Sequence, residues 1–266
     1  MTAGKQRGLA GAAAAMFSGT FVSRSLGFVR NAILVVALAS VGGASTAFTV
    51  ANSLPNAIYM LLAGGVINAI LVPQLVRAAR DADGGRDYTN RLLTVAGAGL
   101  LVVSLILTLG ASVLVTVYGA QMAPEWRPIA YAFAYWCVPQ VFFYGLYTLL
   151  GQVLNARNVF GPYMWAPAAN NVVAIVGLGV YLAIFGAMPR EQLAAADFGT
   201  ARIVLLAGTA TLGVAVQALI LVVPLWRAGF RYRPAWGLKG LGGASRMAMW
   251  TFAALGVGQI GLIAVS

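Results

Sequence analysis

An all-α bundle of membrane-spanning helices follows from three properties of this 266-residue chain. Apolar residues make up 61% of it and charged residues only 9%, with a mean hydropathy of +0.85, which is more hydrophobic surface than a soluble core can absorb. The apolar residues gather into long runs. All six Asp and Glu residues fall between those runs. Apolar sequence this continuous implies helices, because a helix satisfies its own backbone hydrogen bonds where no water is present.

The first run, Leu9–Ala39, carries Arg24 and Arg30. Neither Leu9–Val22 nor Asn31–Ala39 can span alone, since a spanning helix needs about 20 apolar residues. The two arginines are therefore read as lying inside one helix. The lysine and arginine before the run resemble the start of a signal peptide, but the run is too long for one and is read as a retained helix. The second run, Ala44–Val76, contains Pro55, Gly64–Gly65 and Pro73 as soft points. The third is Leu92–Tyr118, and the fourth, Ile129–Leu154, is interrupted at Pro139. The fifth is Met164–Phe185 with Pro167, and the sixth is Ile203–Leu225 with Pro224. The seventh, Met247–Ser266, reaches the last residue without a flanking charge, from which we expect a fragment of a longer protein.

Orientation follows from the basic residues. With the N-terminus in the cytoplasm, twelve of the seventeen Lys and Arg fall in inside segments, three (Arg127, Arg190, Arg202) fall outside, and Arg24 and Arg30 lie within the membrane. That asymmetry obeys the positive-inside rule and accounts for the net charge of +11 without a nucleic-acid partner. Histidine is absent and Cys137 is the single cysteine, which excludes internal disulfides, Cys/His zinc sites and histidine catalysis. No phosphate-binding loop is present, so ATP is not the direct energy source of this chain. We expect no cofactor and no enzymatic chemistry.

Candidate functional residues are the polar groups inside the runs. An arginine at the bilayer centre costs roughly 2.5–3.5 kcal/mol on insertion scales, so it is retained where it faces a wet cavity or an anion. No run contains a carboxylate to pair with Arg24 or Arg30, and the counter-ion must come from elsewhere. The two point about 120° apart around the helix, yet long guanidinium arms can converge on one wide cavity and hold a phosphate in bidentate fashion. The alternative has Arg30 snorkelling to the interface and Arg24 bonding neighbouring carbonyls. Asn52, Asn56 and Tyr59 share one face of the second helix and can contact a polar substrate or another helix. Gln140, Asn170, Asn171 and Gln217 are read as interhelical hydrogen-bonding groups, and Trp126, Trp136, Trp165 and Trp226 as an interfacial belt.

The segment Ser23-Arg24-Ser25-Leu26-Gly27-Phe28-Val29-Arg30 resembles the opening signature of the MurJ/MviN family, lipid II flippases of the MOP exporter superfamily. Leu54-Pro55-Asn56, Val72-Pro73, Leu154-Asn155, Phe160, Pro167 and Asn171 continue the resemblance in order. It implies a MOP-type (MATE-like) bundle: an N-terminal lobe of six helices in residues 1–228, then a cytoplasmic connection and seventh helix in 229–266 that begin a missing C-terminal lobe. It further implies an undecaprenyl-pyrophosphate-linked substrate (lipid II), moved from inner to outer leaflet by alternating access in a bacterial plasma membrane, with membrane lipids as further partners. Arg24 and Arg30 then match family arginines that hold the pyrophosphate, and Ser23 matches their polar neighbour. The sequence departs from the family at Tyr59, where many members carry arginine, and at Thr46 and Gly64, where acidic residues are usual. Two other readings stand beside this one: a non-transporting membrane scaffold for cell-wall synthesis, and a MOP-superfamily exporter of another lipid-linked oligosaccharide.

Overall fold

The computed structural model describes residues 3–63, 72–78, 83–189 and 193–237, with side chains from Phe17 onward except at residues 61–63, 72, 73 and 76. The seventh run and Gly64–Gly65 lie outside the described residues. Among the described residues there are ten helices, two short 3-10 turns and no strand. Among the described residues, five stretches are long and apolar enough to cross a membrane: Phe17–Leu38, Arg86–Leu109, Pro124–Ala156, Gly161–Phe185 and Thr200–Arg227.

Helix α1 (Ala3–Leu38) runs unbroken through Arg24 and Arg30, 36 residues and about 54 Å long at 1.5 Å per residue. It stops where Ala39 turns to φ 66°, and α2 (Gly43–Ala63) returns with Pro55 inside it. The second run continues as α3 (Val72–Ala78).

The third run begins earlier than its hydropathy indicates and divides into α4 (Arg86–Leu109) and α5 (Ala111–Tyr118) at Gly110. Asp83 explains the early start. Its Oδ1 accepts from the Gly85 N–H and its Oδ2 from the Asp87 N–H, both at 2.8 Å, satisfying donors that a helix start leaves without partners. Asp87 and Arg91, expected in the connection, therefore lie in the opening turns of α4, paired at 2.8 Å.

The fourth run divides at Val138–Pro139 into α6 (Arg127–Cys137) and α7 (Gln140–Ala156), because proline supplies no N–H to continue the ladder. Helix α8 (Gly161–Phe185) tolerates Pro167 without a break. The sixth run becomes α9 (Thr200–Leu219) and α10 (Val222–Arg227).

Helix α8 packs between α1 and α9, while α2 packs on α6 and α7, and α4 on α7. Two apolar cores result. One gathers Phe48, Phe133, Phe198 and Trp126, with Phe133 meeting Phe48 at 5.3 Å and Phe198 at 5.9 Å in edge-on contacts. The other gathers Leu149, Val153, Leu154, Leu221 and Phe230. Trp126 is thus a core residue and not part of an interfacial belt. Its indole covers Gly43 so closely that a Cβ there would lie 2.0 Å from Nε1. Trp136, Trp165 and Trp226 remain exposed. On α8, Val172, Val176, Val180 and Ile184 form an exposed stripe at four-residue spacing, as a lipid-facing helix side requires.

Candidate functional site: a carboxylate-free polar cavity

Beside the core of Phe48 and Phe133, polar side chains from several helices border a cavity of about 60 Å³. Arg30 of α1, Asn52 of α2, Gln140 and Tyr144 of α7, Asn170 of α8 and Thr209 of α9 line it together with apolar neighbours. None of the five helices that form it contains an Asp or Glu, so the Arg30 charge has no carboxylate in its walls. Among the described residues, the Arg30 guanidinium donates to its neighbour Asn31, from Nη2 at 3.2 Å and Nε at 3.4 Å to Oδ1.

The walls are held by interhelical hydrogen bonds. Gln140 is buried at the first position of α7, directly after the proline break. Its Nε2 donates to Asn52 Oδ1 at 3.2 Å and to Thr211 Oγ1 at 3.0 Å. The Thr211 hydroxyl in turn donates to the Trp136 carbonyl at 2.7 Å, so α9 supplies a partner to backbone beside the break. Asn170 Nδ2 donates to Gln217 Oε1 at 2.8 Å. Gly213 makes room for that contact, since a Cβ there would lie 2.3 Å from Asn170 Oδ1.

The structure brings only part of the sequence-derived set together. Arg30 and Asn52 share the cavity. Ser23 faces α8, where its carbonyl and hydroxyl accept from Asn171 Nδ2 at 2.8 and 3.4 Å. Seven residues separate Ser23 from Arg30, so both stand on the same side of α1, whereas Arg24 stands about 120° from Arg30 and is exposed. Asn56 is exposed, and its amide donates to Met60 Sδ at 4.0 Å. Tyr59 turns to α7, stacking on Tyr144 with ring centroids 5.5 Å apart and hydrogen-bonding the Thr148 hydroxyl.

Sequence reasoning passed over Tyr144 and Thr209. Tyr144 and Thr148 lie one turn apart on α7, a spacing that marks a shared face, but a tyrosine and a threonine in an apolar run give no sign of what they meet. Leu34 also borders a second crevice of about 370 Å³ at the junction of α1 and α2, where Ser40, Ser45, Thr46 and Thr49 supply hydroxyls. Thr46, one of the departures from the family pattern, lies there.

A family profile described as "Lipid II flippase MurJ" matches residues 35–265. The match begins after Arg30, so it stands independently of the arginine motif. Among curated proteins, "Probable lipid II flippase MurJ" of Synechocystis sp. is 29% identical over 225 residues, covering 84% of this chain and 41% of the relative. The Vibrio cholerae protein of the same description is 29% identical over 231 residues, covering 83% and 41%. This chain thus spans about two fifths of the length of these relatives. A solved structure, "Lipid II flippase MurJ, inward closed conformation", superposes with a TM-score of 0.65 at 17% identity, covering 92% of this chain and 48% of that one, a likeness of fold. With more than half its length matched by the family profile, the chain belongs to the MurJ family.

Proposed function

We propose that this chain is the N-terminal lobe of a flippase that carries lipid-linked peptidoglycan precursor, lipid II, from the inner to the outer leaflet by alternating access. Residues 1–228 form the lobe of six spans, and 229–266 form the cytoplasmic connection and the seventh helix that lead into a second lobe. The observation that carries the reading is Arg30 in an intramembrane cavity whose walls hold no carboxylate. An intramembrane cation of this kind marks a substrate path, and a guanidinium fork matches the oxygens of a diphosphate. A cavity of about 60 Å³ is too small for a diphosphate and its sugars, so it serves as the floor of a larger space that the second lobe completes. Arg24, exposed on the adjoining side of α1, reaches the same anion from that larger space, with Ser23, Asn52, Asn56 and Tyr59 around it.

Substitution in the full-length protein tests this. Arg30→Ala and Arg24→Ala are each expected to abolish or severely reduce lipid II translocation in vesicles without impairing insertion, because removing an intramembrane charge eases insertion. Arg30→Lys is expected to restore part of the activity, since it keeps the charge and loses the fork. A well-inserted double alanine variant that flips at the wild-type rate would overturn the anion mechanism and favour the scaffold reading.

A further inference from the structure

A cavity larger than the one at Arg30 lies away from it, at the end of the lobe where the basic residues collect. It measures about 510 Å³, within the usual range of ligand sites. Two ladders at four-residue spacing form its walls: Leu93, Gly97 and Leu101 on α4, and Phe142, Leu146 and Leu150 on α7. The α4 ladder alone gives it a depth of about 12 Å along the α4 axis. Leu101 is half exposed, so the cavity is open to the lipid side.

An extended segment after α10 closes the remaining wall. It is pinned to α4 by three contacts: Tyr232 Oη with Thr94 Oγ1 at 2.8 Å, the Arg233 N–H to Asn90 Oδ1 at 3.1 Å, and the Ala235 N–H to Thr94 Oγ1 at 3.1 Å. This strap places Arg231 on the cavity rim, its guanidinium 4.3 Å from the Trp226 ring and its Nη1 donating to the Trp226 carbonyl at 3.1 Å. Further N–H donors of the fork remain for an anion. Arg227 and Arg233 flank it, both exposed, and Arg157 stacks on Phe230 at 4.9 Å behind the rim. Burial beside Phe230 and the nearby Arg86 charge hold the Arg157 pKa below the ordinary arginine value, as expected of cations gathered in one place. Among the described residues of the connection that leads into α4, Asp87 is engaged with Arg91 and Asp83 with the start of α4.

We infer that this crevice is a binding site for an anionic glycerophospholipid of the arginine-rich leaflet, with one acyl chain between α4 and α7 and the phosphate on Arg231. An apolar slot lying along the α4 axis and ending in a guanidinium matches a lipid in both shape and charge, and a polybasic rim favours an anionic headgroup. The strap that carries Arg231 leads toward the connection between lobes, so occupancy of the site steadies the start of that connection.

The test uses full-length protein in phosphatidylcholine nanodiscs carrying trace phosphatidylglycerol with a diazirine on its acyl chain, compared with the matching phosphatidylcholine probe. The phosphatidylglycerol probe is expected to label peptides containing Leu93–Leu101 and Phe142–Leu150 about fivefold more than its neutral counterpart. Arg231→Gln is expected to remove that preference and Arg231→Lys to keep most of it. Gly97→Phe fills the slot, since a Cβ there meets nothing within 4 Å, and is expected to reduce labelling of both peptides about fivefold or more with either probe. Equal labelling by the two probes, or labelling unaffected by either Arg231→Gln or Gly97→Phe, would overturn the assignment. So would no labelling, which means that another part of the protein covers the slot. Displacement of the probe by equimolar lipid-linked pyrophosphate would overturn it as well, because the site would then belong to the transported lipid.

Discussion

Asn171 on α8 donates its amide to the backbone carbonyl of Ser23 on α1 at 2.8 Å, two helical turns from Arg30 on the same side of α1. The contact sets the rotation of α1 against α8, and that rotation decides that Arg30 enters the cavity while Arg24 stays outside it. Asn171→Leu is expected to cost only about 0.6 kcal/mol of lobe stability, the average for an interhelical hydrogen bond in a membrane. Transport is expected to fall by more than that energy accounts for, because α1 loses its rotational register. Unfolding in mixed micelles beside a vesicle flipping assay separates the two. Equal and small losses in both would show that the contact does not position Arg30.

The Trp126 indole over Gly43 is a tighter constraint. Gly43→Ala places a methyl 2.0 to 2.3 Å from indole atoms, and the ring must leave its place against Phe198. We expect a loss of about 2 kcal/mol in stability, typical of an overpacked core. Trp126→Leu in the same chain should recover part of it, since the smaller side chain gives the methyl room. Thermal unfolding of the two single variants and the double variant completes the cycle.

Topology is checked by cysteine labelling. Ala123 and Arg227 are exposed at opposite ends of the lobe, and Cys137 is fully buried, so an introduced thiol is the one read. Ala123→Cys is expected to react with a membrane-impermeant maleimide from outside the cell, and Arg227→Cys only after permeabilisation. The opposite pattern would reverse the orientation and remove the basis of the positive-inside argument.

The start of α4 predicts a pH dependence. The backbone N–H groups of Asp87 and Gly85 hold the Asp83 carboxyl below its ordinary value of 3.8. A carboxylate with a depressed pKa stabilises the fold above its unfolded pKa, and the contribution is lost as pH falls through the lower, folded value. Amide protection at Gly85 and Asp87 should therefore stay level from pH 7 down to the ordinary carboxylate range and collapse only below it. Asp83→Ala should lack this protection at every pH, as measured by hydrogen exchange.

Hydropathy alone determined that the chain is a bundle of spanning helices and that Arg24 and Arg30 share one of them. The reason is that a bilayer leaves a backbone no other way to satisfy its hydrogen bonds, and a span has a minimum length. Where spans bend was half legible. Pro139 breaks one, Pro167 does not, and Gly110 divides another unannounced, because neighbouring helices decide whether a freed carbonyl finds a partner. The early start of α4 depended on Asp83, a capping group that an apolar count cannot register.

Which polar groups meet was decided by tertiary structure. Gln140 finds Asn52 across 88 residues of sequence. Trp126, placed near a span end by hydropathy, lies in the core, and Tyr59, on the same face of α2 as Asn52, turns to Tyr144 instead of Arg30. Helix rotation and distance of approach settle these pairings. Both depend on close packing at small residues such as Gly43 and Gly213, where absence of a side chain lets the partner in, and a hydropathy pattern records neither.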